Sequence, residues 1–173
     1  GLLAMRQAAS APPDGYTIIL SSESNHILLP LLDKKFPMDV NKSFIPISLS
    51  GTFQHTLIVK KELPVANIQE LITYIKANPG KLSYGSAGVG SAPHIAGALL
   101  AKASGVPMTH IPYRGNAGAM NDLLAGRLDF VFGGIPCLGG MVTAVKVRVL
   151  AVAGNKRRTL LRQIPSLCEL RLA

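Results

Sequence analysis

The stretch Leu82-Ser83-Tyr84-Gly85-Ser86-Ala87-Gly88-Val89-Gly90-Ser91-Ala92-Pro93-His94 decides how this chain is read. Leu82 to Ser86 reads as a strand, Ala87 to Ser91 as a Gly-rich loop, and Pro93 as a residue tolerated in the first turn of a helix that runs to Gly105. A Gly-rich turn from a strand into a helix presents backbone N–H groups at the positive end of the helix dipole. Such a turn holds a carboxylate, phosphate or sulfate without a basic side chain. The spacing is neither the dinucleotide fingerprint nor a Walker loop, so a nucleotide is disfavoured. A plain tight turn using Gly for positive φ accounts for the same spacing, and both readings stay open.

Outward from this stretch, strand-like and helix-like segments alternate. Tyr16 to Ser21 follows the turn signal Pro13-Asp14-Gly15, and Phe44 to Ser50 and Thr56 to Lys60 are two further β-rich runs. Asn67 reads as an N-cap with Glu70 completing a capping box, and Ile68, Leu71, Ile72 and Ile75 form one apolar stripe stopped by Asn78-Pro79-Gly80. Met108 to Tyr113 reads as a strand and Asn116 to Ala125 as a helix closed by Gly126. Leu128 to Phe132 and Val147 to Ala153 are apolar strands. Near-continuous apolar strands between helices predict an α/β fold with a mostly parallel sheet covered on both faces.

Composition narrows the class. With 48% hydrophobic and 16% charged residues in 173, disorder is excluded and a real core can form. The formal charge is +9, and the last 28 residues hold seven basic groups (Lys146, Arg148, Lys156, Arg157, Arg158, Arg162 and Arg171) against Glu169 alone. No aromatics interleave with these groups, so a solvated basic face is favoured over nucleic-acid binding. Cys137 and Cys168 make neither a disulfide framework nor a metal set, and His26, His55, His94 and His110 show no metal spacing. No metal or cofactor is expected. The uncharged stretch from Phe130 to Val145 is too short to span a bilayer and is broken by glycines. The chain opens at Gly with no export signal, which fits a processed, trimmed or excised sequence.

An enzyme reading competes with binding. Tyr84-Gly85-Ser86-Ala87-Gly88 is one residue from the hydrolase elbow, with His94, His110 and Asp129 as triad partners. That motif needs its acid and then its histidine after the serine, and here both histidines precede Asp129. Arg114 follows a strand and precedes a helix, where it can face the same crevice or solvent. Tyr113 offers an apolar body and a hydroxyl to a pocket floor.

Several motifs occur in a telling order: Pro13-Asp14-Gly15-Tyr16-Thr17, Ala77-Asn78-Pro79-Gly80-Lys81-Leu82, Ser86-Ala87-Gly88 with His94-Ile95-Ala96-Gly97, Ile111-Pro112-Tyr113-Arg114-Gly115, Asp122-Leu123-Leu124-Ala125-Gly126, and Ile164-Pro165-Ser166 with Glu169. From about Ala8 to Glu169 the series resembles the Bug family, the extracytoplasmic solute receptors of tripartite tricarboxylate transporters. The resemblance implies a two-domain, type II-like periplasmic binding protein that closes on a small carboxylate and delivers it to a membrane permease without catalysis. Carried over by position, it implies ligand contacts from Ser22, His26, Ser86, Gly88, Gly90 and Ser91.

Family members begin with an earlier strand, loop and helix and continue past the Pro-Ser stretch. The chain therefore reads as a receptor truncated at both ends: residues 54–153 as a nearly whole second domain, and 1–53 with 154–173 as parts of a first. Those parts are expected to expose apolar surface and to favour self-association. A receptor fragment without binding of its own is the remaining alternative.

Overall fold

The computed structural model describes residues 2–134, 147–154 and 161–169. Cys137 and the basic residues Lys146, Lys156, Arg157, Arg158 and Arg171 lie outside them. The chain divides into two units, Gly1–Gly51 with Gly90–Ala92, and Thr52–Val89 with Pro93–Ala173.

The second unit is built on five strands: β1 (His55–Lys60), β2 (Ser83–Ser86), β3 (Thr109–Pro112), β4 (Phe130–Gly134) and β5 (Val147–Val152), in the spatial order β3-β2-β4-β1-β5. β2 runs parallel to β3 and β4, whereas β1 is antiparallel to both β4 and β5. The sheet is thus mixed rather than mostly parallel. Continuous apolar runs report burial of both faces and say nothing of direction. β1 shows this, since Leu57, Ile58 and Val59 are all fully buried in an antiparallel strand.

Among the described residues, three helices cover the sheet. On one face Leu57, Val59, Tyr84, Phe130, Phe132 and Leu150 meet Ile68, Leu71 and Ile75 of α4 (Ile68–Ala77) and Leu100 of α5 (Ala92–Ser104). On the other, Ile58, Val131 and Val149 meet Ala119, Met120 and Leu123 of α6 (Asn116–Leu124). Leu57, Ile58 and Val59 alternate between the faces as a period of two requires. α4 starts where its cap predicts: the Glu70 amide donates to Asn67 Oδ1 at 2.9 Å, and Glu70 Oε2 accepts from the Ala66 amide at 2.7 Å. Asn67 and Glu70 thereby satisfy two backbone donors, one a residue upstream of the usual capping box.

At the far end of the sequence, Val152 forms a parallel bridge to Ser166, its amide donating to Pro165 O and its carbonyl accepting from the Leu167 amide. The segment 161–169, read from sequence as first-domain chain, therefore groups with the second unit.

The first unit holds α1 (Leu2–Ala9), a π-helical turn over Ser24–Leu28 that continues into α2 (Leu29–Leu32), and α3 (Val40–Ser43). The sequence pattern begins its matched elements later and signals none of these. Conversely, Tyr16–Leu20 and residues 44–50 form no strand ladder, contrary to the expected strands. Their β-rich patterns remain, with Tyr16, Ile18 and Leu20 and then Ile45, Ile47 and Leu49 all exposed. A strand exists only where a second strand pairs with it, and among the described residues neither segment has one.

Candidate functional site

β2 and β3 end side by side, Ser86 opposite Pro112 in parallel register, and each strand runs through a short loop into a helix. The Tyr113 amide donates to Ser86 O at 3.0 Å, extending the pairing beyond the strands. The Gly-rich loop and the Tyr113-Arg114-Gly115 loop therefore share one end of the sheet, the carboxyl end where ligands gather in open α/β sheets. Gly88 has φ +126°, and a Cβ there would meet Tyr113 O at 3.4 Å. The backbone turn, rather than a side chain, occupies that space.

Ser86 is fully buried and its hydroxyl is committed on several sides. Oγ accepts from the Gly88 amide at 3.1 Å, lies 3.1 Å from Gly88 O, and sits 2.7 Å from His110 Nε2. With one proton to give, the hydroxyl donates either to His110 or to the Gly88 carbonyl, according to the imidazole tautomer. His110 stacks on Tyr84, its register partner, at 4.9 Å between ring centroids, and the Tyr84 ring stacks in turn on Phe130 at 5.4 Å. On its other side His94, from the first turn of α5, brings its ring centroid to 4.2 Å. Burial, and secondarily the charge of His94, lower the pKa of His110, while burial raises that of Tyr84.

The hydrolase arrangement does not assemble. Ser86 and His110 do meet, but Asp129 lies at the opposite end of β2. There it accepts from the Ser83 amide at 2.7 Å and pairs with Lys60 at 2.7 Å. His94 takes the stacking role of a packing residue. Among the described residues, no group of three or more His, Cys, Asp or Glu could hold a metal ion.

The Tyr113 hydroxyl, read as a lining group, donates to Asp122 Oδ2 at 2.5 Å, and Asp122 Oδ1 accepts from Arg127 Nη2 at 2.6 Å. Burial and the Asp122 bond push the Tyr113 phenol up to about 12. Tyr113 and Arg127 together hold Asp122 below the usual carboxylate range. Arg114 is exposed.

Of the other expected contacts, Ser22, His26, Gly90 and Ser91 belong to the first unit. Ser22 O accepts from the Asn25 and His26 amides as the π-helical turn begins, and His26 Nδ1 lies 2.8 Å from Ser21 Oγ with its ring against Phe44. Gly90 has φ +79°, and a Cβ there would stand 2.7 Å from Leu29 Cδ2. Ser24 carries no signal in the sequence; its Oγ accepts from the Ala92 amide at 3.1 Å. The pairing of Ser86 with His110 was equally unforeseen as a loop support. No sequence signal marks it, because the contact depends on the register of β2 with β3.

Comparison with known proteins fits this geometry. The model of the tripartite tricarboxylate transporter family receptor matches residues 1–172. A protein of Pseudomonas sp. (strain P51), the UPF0065 protein in the tcbD-tcbE intergenic region, is 33% identical over 169 residues, covering 98% of this chain and 50% of the relative. A solved structure described as R. palustris Rpa4515 with adipate superposes with a TM-score of 0.93 at 31% identity, covering 98% of this chain and 56% of that one. The periplasmic binding protein BugD superposes with a TM-score of 0.91 at 36% identity, covering 98% and 56%. The chain spans about half the length of the curated relatives it matches. It belongs to the tripartite tricarboxylate transporter receptor family.

Proposed function

We propose that this chain captures a small carboxylate as a solute receptor, periplasmic in location, that serves a tripartite tricarboxylate-type permease. The observation that carries the reading is the turn from β2 into α5, where Gly88 and Gly90 take positive φ at the carboxyl end of parallel strands beside a thirteen-residue helix. Backbone donors at such a turn suit a carboxylate. The family and the adipate complex of the Rpa4515 relative support the same ligand class. Gly88, Gly90 and Ser91 are the loop residues proposed for this contact, with Ser86 and Tyr113 as supports.

No catalysis accompanies binding in this reading. The contact of Ser86 with His110 favours a nucleophile at first sight, but a fully buried Oγ bonded to Gly88 offers a substrate no approach. Ser86 holds the turn instead. Among the described residues no helix is long and apolar enough to cross a membrane.

The test is a thermal-shift screen against di- and tricarboxylates, acidic amino acids and aromatic carboxylates. A ligand at 100 times its Kd stabilises by ~2.7 kcal/mol, readable as a dose-dependent rise in Tm. A flat response from a chain that melts cooperatively overturns the receptor reading in favour of a fragment without binding.

A further inference from the structure

The two adjacent imidazoles behind the Gly-rich loop, tilted by 32°, have no role in a purely backbone-mediated site. His110 Nε2 lies 2.7 Å from Ser86 Oγ, and that same oxygen accepts the Gly88 amide, so His110 is one hydroxyl removed from the loop peptide. The His94 ring lies 4.2 Å from it, in the first turn of the helix that follows. Two imidazoles at this separation disfavour double protonation, and the positive end of α5 adds to that penalty. An anion arriving at the loop reverses the sign of the local field. We propose that the His94–His110 pair makes carboxylate capture proton-linked: a carboxylate bound at the loop draws one proton onto the pair.

This deepens the receptor reading and rests on it. Burial of His110, and secondarily the charge of His94, depress its basicity, and a bound anion acts in the opposite direction. Among the described residues, His110 is faced by His94 from α5 and by Tyr84 from β2, which stacks on its ring. Further along its own strand, Tyr113 is tied to Asp122, which also binds Arg127, and Arg114 is exposed. Asp129 and Lys60 are paired beside Ser83 at the other end of β2.

By linkage, a ligand that makes the pair more basic is itself bound more tightly once the pair is protonated. The two effects are equal in size, so a tenfold gain in proton affinity is matched by about a tenfold fall in Kd. A protonated Nε2–H also donates to Ser86 Oγ, which turns the hydroxyl proton toward the Gly88 carbonyl and fixes the turn. His110 is a positioning residue here, acting on the ligand through Ser86 and through charge.

The experiment is isothermal titration of the chain with adipate and with malate from about pH 5.5 to 8, in buffer pairs of different ionisation heat. NMR titration of the imidazole Cε1–H signals, with and without saturating adipate, runs on the unaltered protein alongside. The expected result is a Kd that falls several-fold on acidification, uptake of a fraction of a proton up to one per ligand, and a rise in the pKa of His110 or His94 on binding. His110→Gln is expected to flatten the profile. Binding with a level Kd, no proton uptake and unmoved imidazole signals overturns the proton linkage and leaves the receptor reading standing. Proton uptake that persists in both His110→Gln and His94→Gln assigns it elsewhere and overturns it as well. No binding of either probe at any pH, with the wider panel equally flat, overturns the receptor reading and this proposal together.

Discussion

The Tyr84 ring lies directly over Gly97: a Cβ built on that glycine would stand 2.1 Å from Cε2 and 2.7 Å from Cζ. α5 comes this close to the sheet because residue 97 has no side chain. Gly97→Ala gains ~1 kcal/mol of helix propensity but forces the ring or the helix to move, at a typical overpacking cost of ~1–3 kcal/mol. Net destabilisation is expected, read as a lower urea midpoint at unchanged m-value. An unaltered midpoint would show that Tyr84 has room to swing away.

Ser86→Ala removes the oxygen that anchors the Gly88 amide and meets His110. Stability should fall by about 1–3 kcal/mol, the usual range for stranding buried polar partners. Carboxylate affinity should drop by no more than ~10-fold, since the proposed contacts are largely backbone. Calorimetry and an ester-turnover assay on the same variant separate the alternatives, because a nucleophile would lose orders of magnitude in turnover.

Tyr113 and Asp122 set opposite pH limits. The phenol, pushed up to about 12, contributes stability that is complete below its unfolded pKa near ~10 and is lost as pH rises toward 12. The Asp122 carboxyl, pulled down by Tyr113 and then Arg127, contributes stability present above ~3.9 and lost as pH falls through its lowered folded value. Tyr113→Phe should blunt both dependences. Denaturation midpoints across the pH range, with phenolate absorbance at the alkaline end, check this, and identical profiles for variant and parent would refute it.

Self-association is expected through the first unit. Tyr16, Ile18 and Leu20 alternate along one irregular segment and Ile45, Ile47 and Leu49 along another, with Tyr16 92% and Ile45 89% exposed. Backbone without a ladder partner and with apolar side chains is a template for strand addition. Sedimentation equilibrium should show concentration-dependent association that the double variant Ile18→Lys, Ile47→Lys suppresses. A monomer at all concentrations would sink the idea.

The same two segments mark where sequence reading reached its limit. Their alternating apolar residues are as strand-like as the continuous apolar run of Thr56 to Lys60, which lies within β1. What separates them is the neighbour, since β1 lies between β4 and β5 and no local pattern records that. Helices α4, α5 and α6 were legible to within a residue or two because their stripes, the Asn67 cap and the glycines at 105 and 126 are local signals. Strand direction was not legible, as both faces of β1 are covered whichever way it runs. Within the site, the Gly-rich turn could be read from spacing. The contact of Ser86 with His110 joins residues 24 apart and required the register of β2 with β3.

The place of β1 between β4 and β5 has a consequence for how the chain is made. Val59 pairs with Phe130 and with Arg148, so its apolar neighbours cannot be covered when they leave the ribosome. At ~5–20 residues per second, the partners follow on the order of 5–20 s later. For that interval Leu57, Ile58 and Val59 are open to any binder of unfolded chains. The sheet is complete only once β5 has emerged, so the edge of β1 that pairs with β5 is the last to be covered.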